Sequence, residues 1–278
     1  MKKSILITGC SSGIGYYTAH GLHARGYRVF ATARRQESVE MLLAEGLESF
    51  QLDLNDSDSI RRAVEETLRR SNGELYALFN NGGYGQPGAV EDLSREALRA
   101  QFETNLFGWV ELTNLILSAM RRQGYGRIIQ NSSVLGFAAM PFRGAYNASK
   151  YAVEGWSDTL RLELRGSGIF VSLIEPGPII TQFRANAMKA FERYIDVERS
   201  VHREKYLAIL NRLNKPGPAT PFTLPPEAVL EKVIRALEAE TPKARYYVTL
   251  PTHLFGFLKR ILPVSMLDKI LAKTGNDH

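Results

Sequence analysis

Residues 4–15 read Ser4-Ile5-Leu6-Ile7-Thr8-Gly9-Cys10-Ser11-Ser12-Gly13-Ile14-Gly15. A short apolar run that stops at a glycine-rich turn reads as a buried strand ending in a loop. The residues that follow keep a helical period to about Arg25, so the unit is strand, turn, helix. A helix N-terminus offers unpaired N–H groups and partial positive charge, and glycine lets a phosphate approach the backbone closely. The candidate cradle is therefore Gly9, Ser11, Ser12, Gly13, Ile14 and Gly15. Its spacing is G-x-x-x-G-x-G, which differs from the commoner dinucleotide pattern G-x-G-x-x-G.

The same rhythm continues outward. Strand-like runs at 5–8, 27–33, 50–54, 75–80, 127–131, 170–175 and 245–249 alternate with helical segments, including one from Asp56-Ser57 through Arg70 and long ones at 95–122 and 146–166. Runs that are apolar throughout, separated by helices, predict a parallel sheet covered on both faces. The expectation is one α/β domain over 1–278: a Rossmann-like, doubly wound parallel sheet of about seven strands. The rhythm fails between 178 and 226, where Pro, Phe, Met and Tyr replace any strand and Lys215-Pro216-Gly217-Pro218 marks a break. Such an excursion predicts a substrate lid. Residues 250–278 predict a C-terminal helical extension.

Composition narrows the class. The 278 residues carry 35 Lys and Arg against 29 Asp and Glu, a net charge of +6. The basic residues are interspersed with acids, as in Glu65-Glu66 with Arg69-Arg70, so nucleic acid is not an expected partner. Cys10 is the only cysteine, which excludes an intramolecular disulfide and fits a reducing compartment. Lys2-Lys3 precede just three consecutive apolar residues, too few for the apolar region of a signal peptide. A cytoplasmic protein is expected.

The second strand-like run ends Ala31-Thr32-Ala33-Arg34-Arg35. An NAD site places an acid about 20 residues beyond the loop, on the ribose 2′-hydroxyl. Here Arg34 stands where that acid would be, and a guanidinium suits a 2′-phosphate through paired hydrogen bonds. NADP(H) is the expected coenzyme. Further along, Tyr146 and Lys150 lie four apart at the head of a helical pattern and share one face. An ammonium within a few ångströms can lower a tyrosine pKa by about 1–3 units, which would fit Tyr146 for proton exchange with a substrate oxygen. Ser133, just past the run 127–131, can hydrogen-bond the same oxygen.

Taken together, these motifs resemble the short-chain dehydrogenase/reductase family over almost the full length, and most closely its hydroxysteroid and retinol dehydrogenase branch. The resemblance rests on Thr8-Gly9-x3-Gly13-x-Gly15, Asp53-Leu54, Asn80-Asn81-Gly82, Asn105, Ser133, Tyr146-x3-Lys150 and Pro176-Gly177. It implies that Asp53 accepts from the adenine amino group, with Leu54 beside it, and that Asn80 and Gly82 shape the coenzyme side of the fourth strand. Asn105 would hold a water linking Lys150 to solvent, and Lys150 would also grip the nicotinamide ribose. Pro176, Gly177, Ile179 and Thr181 would flank the nicotinamide. A homodimer or homotetramer is implied as well. The chain departs from the family's usual Asn-Asn-Ala-Gly, with Gly82-Gly83 in place of Ala-Gly.

The expected substrate is an apolar aldehyde, ketone or alcohol, walled by Leu135, Phe142 and Phe183 around Ser133 and Tyr146, with Phe137, Met140, Met188, Phe191 and Tyr194 nearby. Arg143 and Arg184 are the arginines near enough in sequence to meet a carboxylate. No metal is expected; His20 and His23 are three apart on a helix but have no third ligand nearby. The run at 254–273 is apolar with Lys and Arg at helical intervals. It predicts cover for the substrate pocket or a subunit contact ahead of a membrane surface. Two other readings would use the same residues: a coenzyme-sensing protein without chemistry, marked by a broken Ser-Tyr-Lys set, and an epimerase or dehydratase acting on nucleotide sugars. The set here is intact, and the glycine spacing counts against the second.

Overall fold

The computed structural model describes residues 3–214, 217 and 222–276. Strands β1 (Ser4–Ile7), β2 (Arg28–Ala33), β3 (Glu48–Gln51), β4 (Ala77–Asn80), β5 (Gly126–Asn131), β6 (Ile169–Glu175) and β7 (Arg245–Tyr247) form one sheet in the order β3-β2-β1-β4-β5-β6-β7. Every pairing is parallel. The predicted doubly wound sheet is thus observed. Its order reverses between β1 and β4, and a crevice at such a reversal is where ligands of open α/β sheets bind.

Alternation along β1 explains why Ile5, Leu6 and Ile7 are all apolar. Ile5 and Ile7 face one side, with α1 (Gly13–Ala24), α2 (Gln36–Ala44) and α9 (Glu227–Glu238) packed through Leu22, Leu42 and Val233. Leu6 faces the other, against α3 (Ser57–Arg70), α5 (Gly108–Gln123) and α6 (Gly144–Glu163) through Ile60, Trp109 and Val153. With both faces covered, successive positions on either side are apolar. Among the described residues, no helix is long and apolar enough to cross a membrane.

Some boundaries differ from expectation. The third strand, expected at 50–54, ends at Gln51, because β3 is an edge strand whose length is set by its ladder with β2. Leu52 and Leu54 are apolar because they fill the core beyond the strand. The helix expected at 95–122 is interrupted: α4 (Arg95–Phe102) leads through a π-turn, Glu103–Phe107, into α5. The excursion at 178–226 contains two helices, α7 (Phe183–Tyr194) and α8 (Arg203–Asn214); of the break inside it, Lys215, Pro216 and Pro218 lie outside the described residues. The C-terminal extension is a pair of helices, α10 (Leu250–Ile261) and α11 (Val264–Asn276), and its residues 277–278 lie outside the described residues.

Candidate active site

The crevice begins where β1 meets β4. Thr8 Oγ1 accepts from the main-chain N–H groups of Asn81 and Gly82, both at 2.9 Å, and Asn81 Nδ2 donates to Thr8 O at 2.9 Å. The loops after the two strands are thereby stitched together. Gly9 has φ +72°, and a Cβ there would lie 2.6 Å from Gly82 Cα; a Cβ on Gly15 would lie 2.3 Å from Gly9 O. Only glycine fits either position. Ser12, the N-cap of α1, makes no side-chain cap bond, and the first turn of α1 holds no acid. By contrast, Asp56 accepts from Asp58 N at the start of α3, and Ser94 from Ala97 N at the start of α4. The first amides of α1 are therefore left for an outside anion, with backbone close enough to cradle one. Ser11 is exposed beside them and Ile14 packs on the core.

Around this cradle stand the other residues expected to hold a nucleotide. Arg34 follows β2 directly, exposed and with no ion pair among the described residues. Asp53 follows β3, its Oδ1 accepting from Asn55 N at 3.0 Å. Leu54 is buried, and its Cδ1 lies 3.0 Å from where a Cβ on Gly82 would be. At Gly82, where the family's usual pattern has Ala, a methyl would press on Leu54. Asn80 is fully buried and donates to Thr113 Oγ1 at 2.9 Å, so it braces β4 against α5 beneath the crevice. Beyond β6, Pro176 O accepts from Val134 N at 2.8 Å, and Gly177 packs so closely on Thr249 that a Cβ would meet its Oγ1 at 2.2 Å. Ile179 bridges to Leu224, and a Cβ on Gly13 would touch Thr181 Cγ2 at 2.9 Å. The segment after β6 thus arches back over the glycine loop, and the residues fit a dinucleotide.

At the far end of the crevice, β5 and α6 bring the three chemistry-bearing residues together. Ser133 follows β5 and caps the short turn Val134–Gly136, its Oγ accepting from Leu135 N at 3.1 Å. It also stands close enough to the Tyr146 phenol to favour its ionised form. Tyr146 sits in the first turn of α6, its ring edge-on to Phe183 with centroids 5.4 Å apart. Lys150 is one turn on and 4% exposed; Nζ donates to Asn131 O at 2.7 Å and lies 4.4 Å from the Trp109 ring centre and 5.8 Å from that of Tyr146. Asn105 is fully buried in the π-turn: Nδ2 donates to Tyr84 O (2.9 Å) and Ser149 Oγ (3.3 Å), and Oδ1 accepts from Tyr84 N (3.1 Å). It ties α4–α5 to α6 and to the loop after β4.

The electrostatics differ from expectation in one respect. The Tyr146 pKa is raised, not lowered, in this structure. Burial pushes the phenol up to about 12, with the Ser133 hydroxyl and the Arg143 charge pulling only partly back. Lys150 is itself pushed down to about 7 by burial, against the pull of Glu154. Desolvation outweighs charge–charge attraction for both groups. Cys10, in the glycine loop, is also fully buried and its thiol is pushed up to about 12.

Above Tyr146 opens a cavity. Phe142 and Phe183 line it, as expected from sequence, together with Arg143 and Arg184. Leu135 does not: the turn after Ser133 directs it into a cluster with Ala138, Phe255 and Leu271, through which α10 and α11 cover the back of the site. Sequence reasoning missed Gly85, Gln86, Pro87, Pro141, Ala187 and Ile209 in the lining. Gly85 has a definite role, since a Cβ there would lie 2.6 Å from Phe183 Cζ. Phe142 has φ +59°, a left-handed conformation costing roughly 1–2 kcal/mol for a residue with a side chain. It is held by Gly88 N donating to Phe142 O at 2.9 Å and by edge contacts with His202 and Tyr206.

A nucleotide cradle at one end of a crevice and a Ser-Tyr-Lys set at the other define an oxidoreductase that works on a bound dinucleotide. The family model described as short chain dehydrogenase matches residues 3–191, and the chain belongs to that family. It is 45% identical over 271 residues to the uncharacterized oxidoreductase YbbO of Escherichia coli K12, covering 98% of this chain and 94% of that one. It is 34% identical over 277 residues to an NADPH-dependent 3-dehydrocapnine reductase of Ornithobacterium rhinotracheale, covering 96% and 95%. A short chain dehydrogenase/reductase of Burkholderia phymatum, solved in complex with NAD, superposes with a TM-score of 0.77 at 25% identity, covering 97% of this chain and 95% of that one.

Proposed function

We propose that this oxidoreductase interconverts a carbonyl and an alcohol on an apolar substrate, working as an NADPH-dependent aldehyde or ketone reductase. The observation that carries the reading is the position of Tyr146, beside Ser133 and flanked by Lys150, at the floor of a mostly apolar cavity. Gly9, Gly13 and Gly15 with the first turn of α1 would hold the coenzyme's pyrophosphate, Arg34 its 2′-phosphate, and Pro176, Gly177, Ile179 and Thr181 its nicotinamide end. When bound, NADPH supplies the hydride. Ser133 and Tyr146 hold the carbonyl oxygen, and Tyr146 gives its proton to that oxygen as it gains negative charge. Lys150 then faces the phenolate and stabilises it, and Asn105 fixes the helices that carry the pair. The exposed Arg34 and the absence of an acid at the end of β2 favour NADP(H) over NAD(H). A panel of apolar aldehydes and ketones, each with NADPH and with NADH, tests this. Turnover with NADPH, abolished by Tyr146→Phe, is expected; no turnover on any carbonyl would overturn it.

A further inference from the structure

Behind Lys150 lies a buried acid cluster that the reaction above does not use. The face of α6 that carries Tyr146 and Lys150 continues, at the same interval of four, to Glu154 and Asp158. Glu154 is 7% exposed and Glu175, the last residue of β6, is 0% exposed. Arg245 of β7 reaches all three acids: Nη2 lies 3.0 Å from Glu154 Oε2 and 2.7 Å from Asp158 Oδ2, and Nε lies 3.1 Å from Glu175 Oε1. Ser132 Oγ, next to Ser133, donates to Glu154 Oε1. Around them Tyr247 of β7 senses both glutamates, and Lys259 of α10 senses Glu154 while donating to Phe137 O at 2.7 Å.

Arg161 also pairs with Asp158, at 2.9 Å, which leaves one guanidinium to face the two buried glutamates. Asp158 is the most open of the three; burial works against it, yet bonds from Arg245 and Arg161 keep its carboxyl below the usual range. Both oxygens of Glu175 lack a hydrogen-bond donor in good geometry, although fully buried. A fully buried carboxylate without donors is costly, and a proton placed between Glu175 and the adjacent Glu154 supplies the missing bond. Burial, followed by the charge of Glu154, pushes Glu175 up to about 9. Glu154 is raised as well, chiefly by burial, while Ser132 and Arg245 oppose the rise.

We propose that Glu154 and Glu175 hold one proton between them and act as a positioning pair for Lys150, the single negative charge left on Glu154 keeping the ammonium charged. This deepens the proposed function, because it rests on Tyr146 and Lys150 as the reacting pair. The sign follows from burial and charge. Lys150 is pressed toward its neutral form by burial, and Glu154 one turn away is the acid that opposes this. Without that charge the ammonium is lost at lower pH.

The test reads Lys150 directly. Protein labelled with carbon-13 at lysine Cε is titrated by NMR, with the Lys150 signal assigned by Lys150→Arg. Glu154→Gln is expected to move the Lys150 midpoint down by about one unit, and Glu154→Asp to restore most of it. Glu175→Gln, which swaps a neutral acid for a neutral amide, is expected to leave the midpoint in place. The alkaline limb of kcat/KM should follow the NMR midpoint, a link that a purely structural role would not produce. An unmoved midpoint in E154Q, or an equal shift in E175Q, would overturn the proposal. If E154Q fails to fold, infrared spectroscopy of the parent near pH 7 decides: a protonated-carboxyl band lost in E175Q supports the shared proton, and no such band overturns it. Absence of turnover on every carbonyl would sink the proposed function and leave the titration result standing.

Discussion

The two ends of the crevice are built by opposite means. The nucleotide end, on β1, β2 and α1, is made of backbone: Gly9 and Gly15 approach their neighbours closer than any Cβ allows, and α1 starts without a side-chain cap. The reaction end, on β5, β6 and α6, is made of side chains, held by main chain at Ser133 and Lys150 and by one another back to Arg245. Main chain suits a pyrophosphate, which offers only charge and oxygen to recognise. Side chains suit proton transfer, which needs a titratable atom at one place.

If the two ends are separable, damage to one should spare the other. The largest effect is expected for Tyr146→Phe, which should reduce turnover roughly 10²–10⁴-fold with NADPH affinity unchanged in a fluorescence titration. A parallel loss of NADPH binding would break the comparison. Gly15→Ala should act from the opposite end, costing up to about 3 kcal/mol of stability by overpacking, seen as a lower Tm and weaker coenzyme binding. An unchanged Tm would show that the loop has slack. Arg34→Gln should reduce the preference for NADPH over NADH about 10- to 100-fold, the worth of a charged hydrogen bond. Kinetics with both coenzymes would measure it, and an unaltered ratio would remove Arg34 from the site. The smallest effect belongs to a control at a capped helix. Asp56→Ala should lower stability by about 1 kcal/mol in urea unfolding and leave NADPH binding alone, since α3 supplies its own anion.

The backbone-built end was the more legible from sequence. Strand, glycine turn and helix are contiguous, so Gly9 to Gly15 and Arg34 could be read from a stretch of about 30 residues. Ser133, Tyr146 and Lys150 were legible too, by their order and their family resemblance. What surrounds them was not. Gly85, Gln86 and Pro87 lie in a loop past β4, where no period marks which side chain faces a cavity. Leu135 was expected in the pocket and packs behind it, because a single turn of backbone decides its direction. Arg245 meets Glu154 across 91 positions of chain, a contact that exists only once β7 is laid beside β6. The rise of the Tyr146 pKa was equally hidden, since burial is a property of the packed molecule.

The Phe183 ring rests where a methyl on Gly85 would stand, and the same ring leans on Tyr146. The height of the roof over the reacting phenol is therefore set by one missing carbon in a loop that carries no chemistry. A lineage of such enzymes could retune which carbonyls fit beneath that roof by exchanging hydrogen for methyl at this position, leaving every reacting atom as it was.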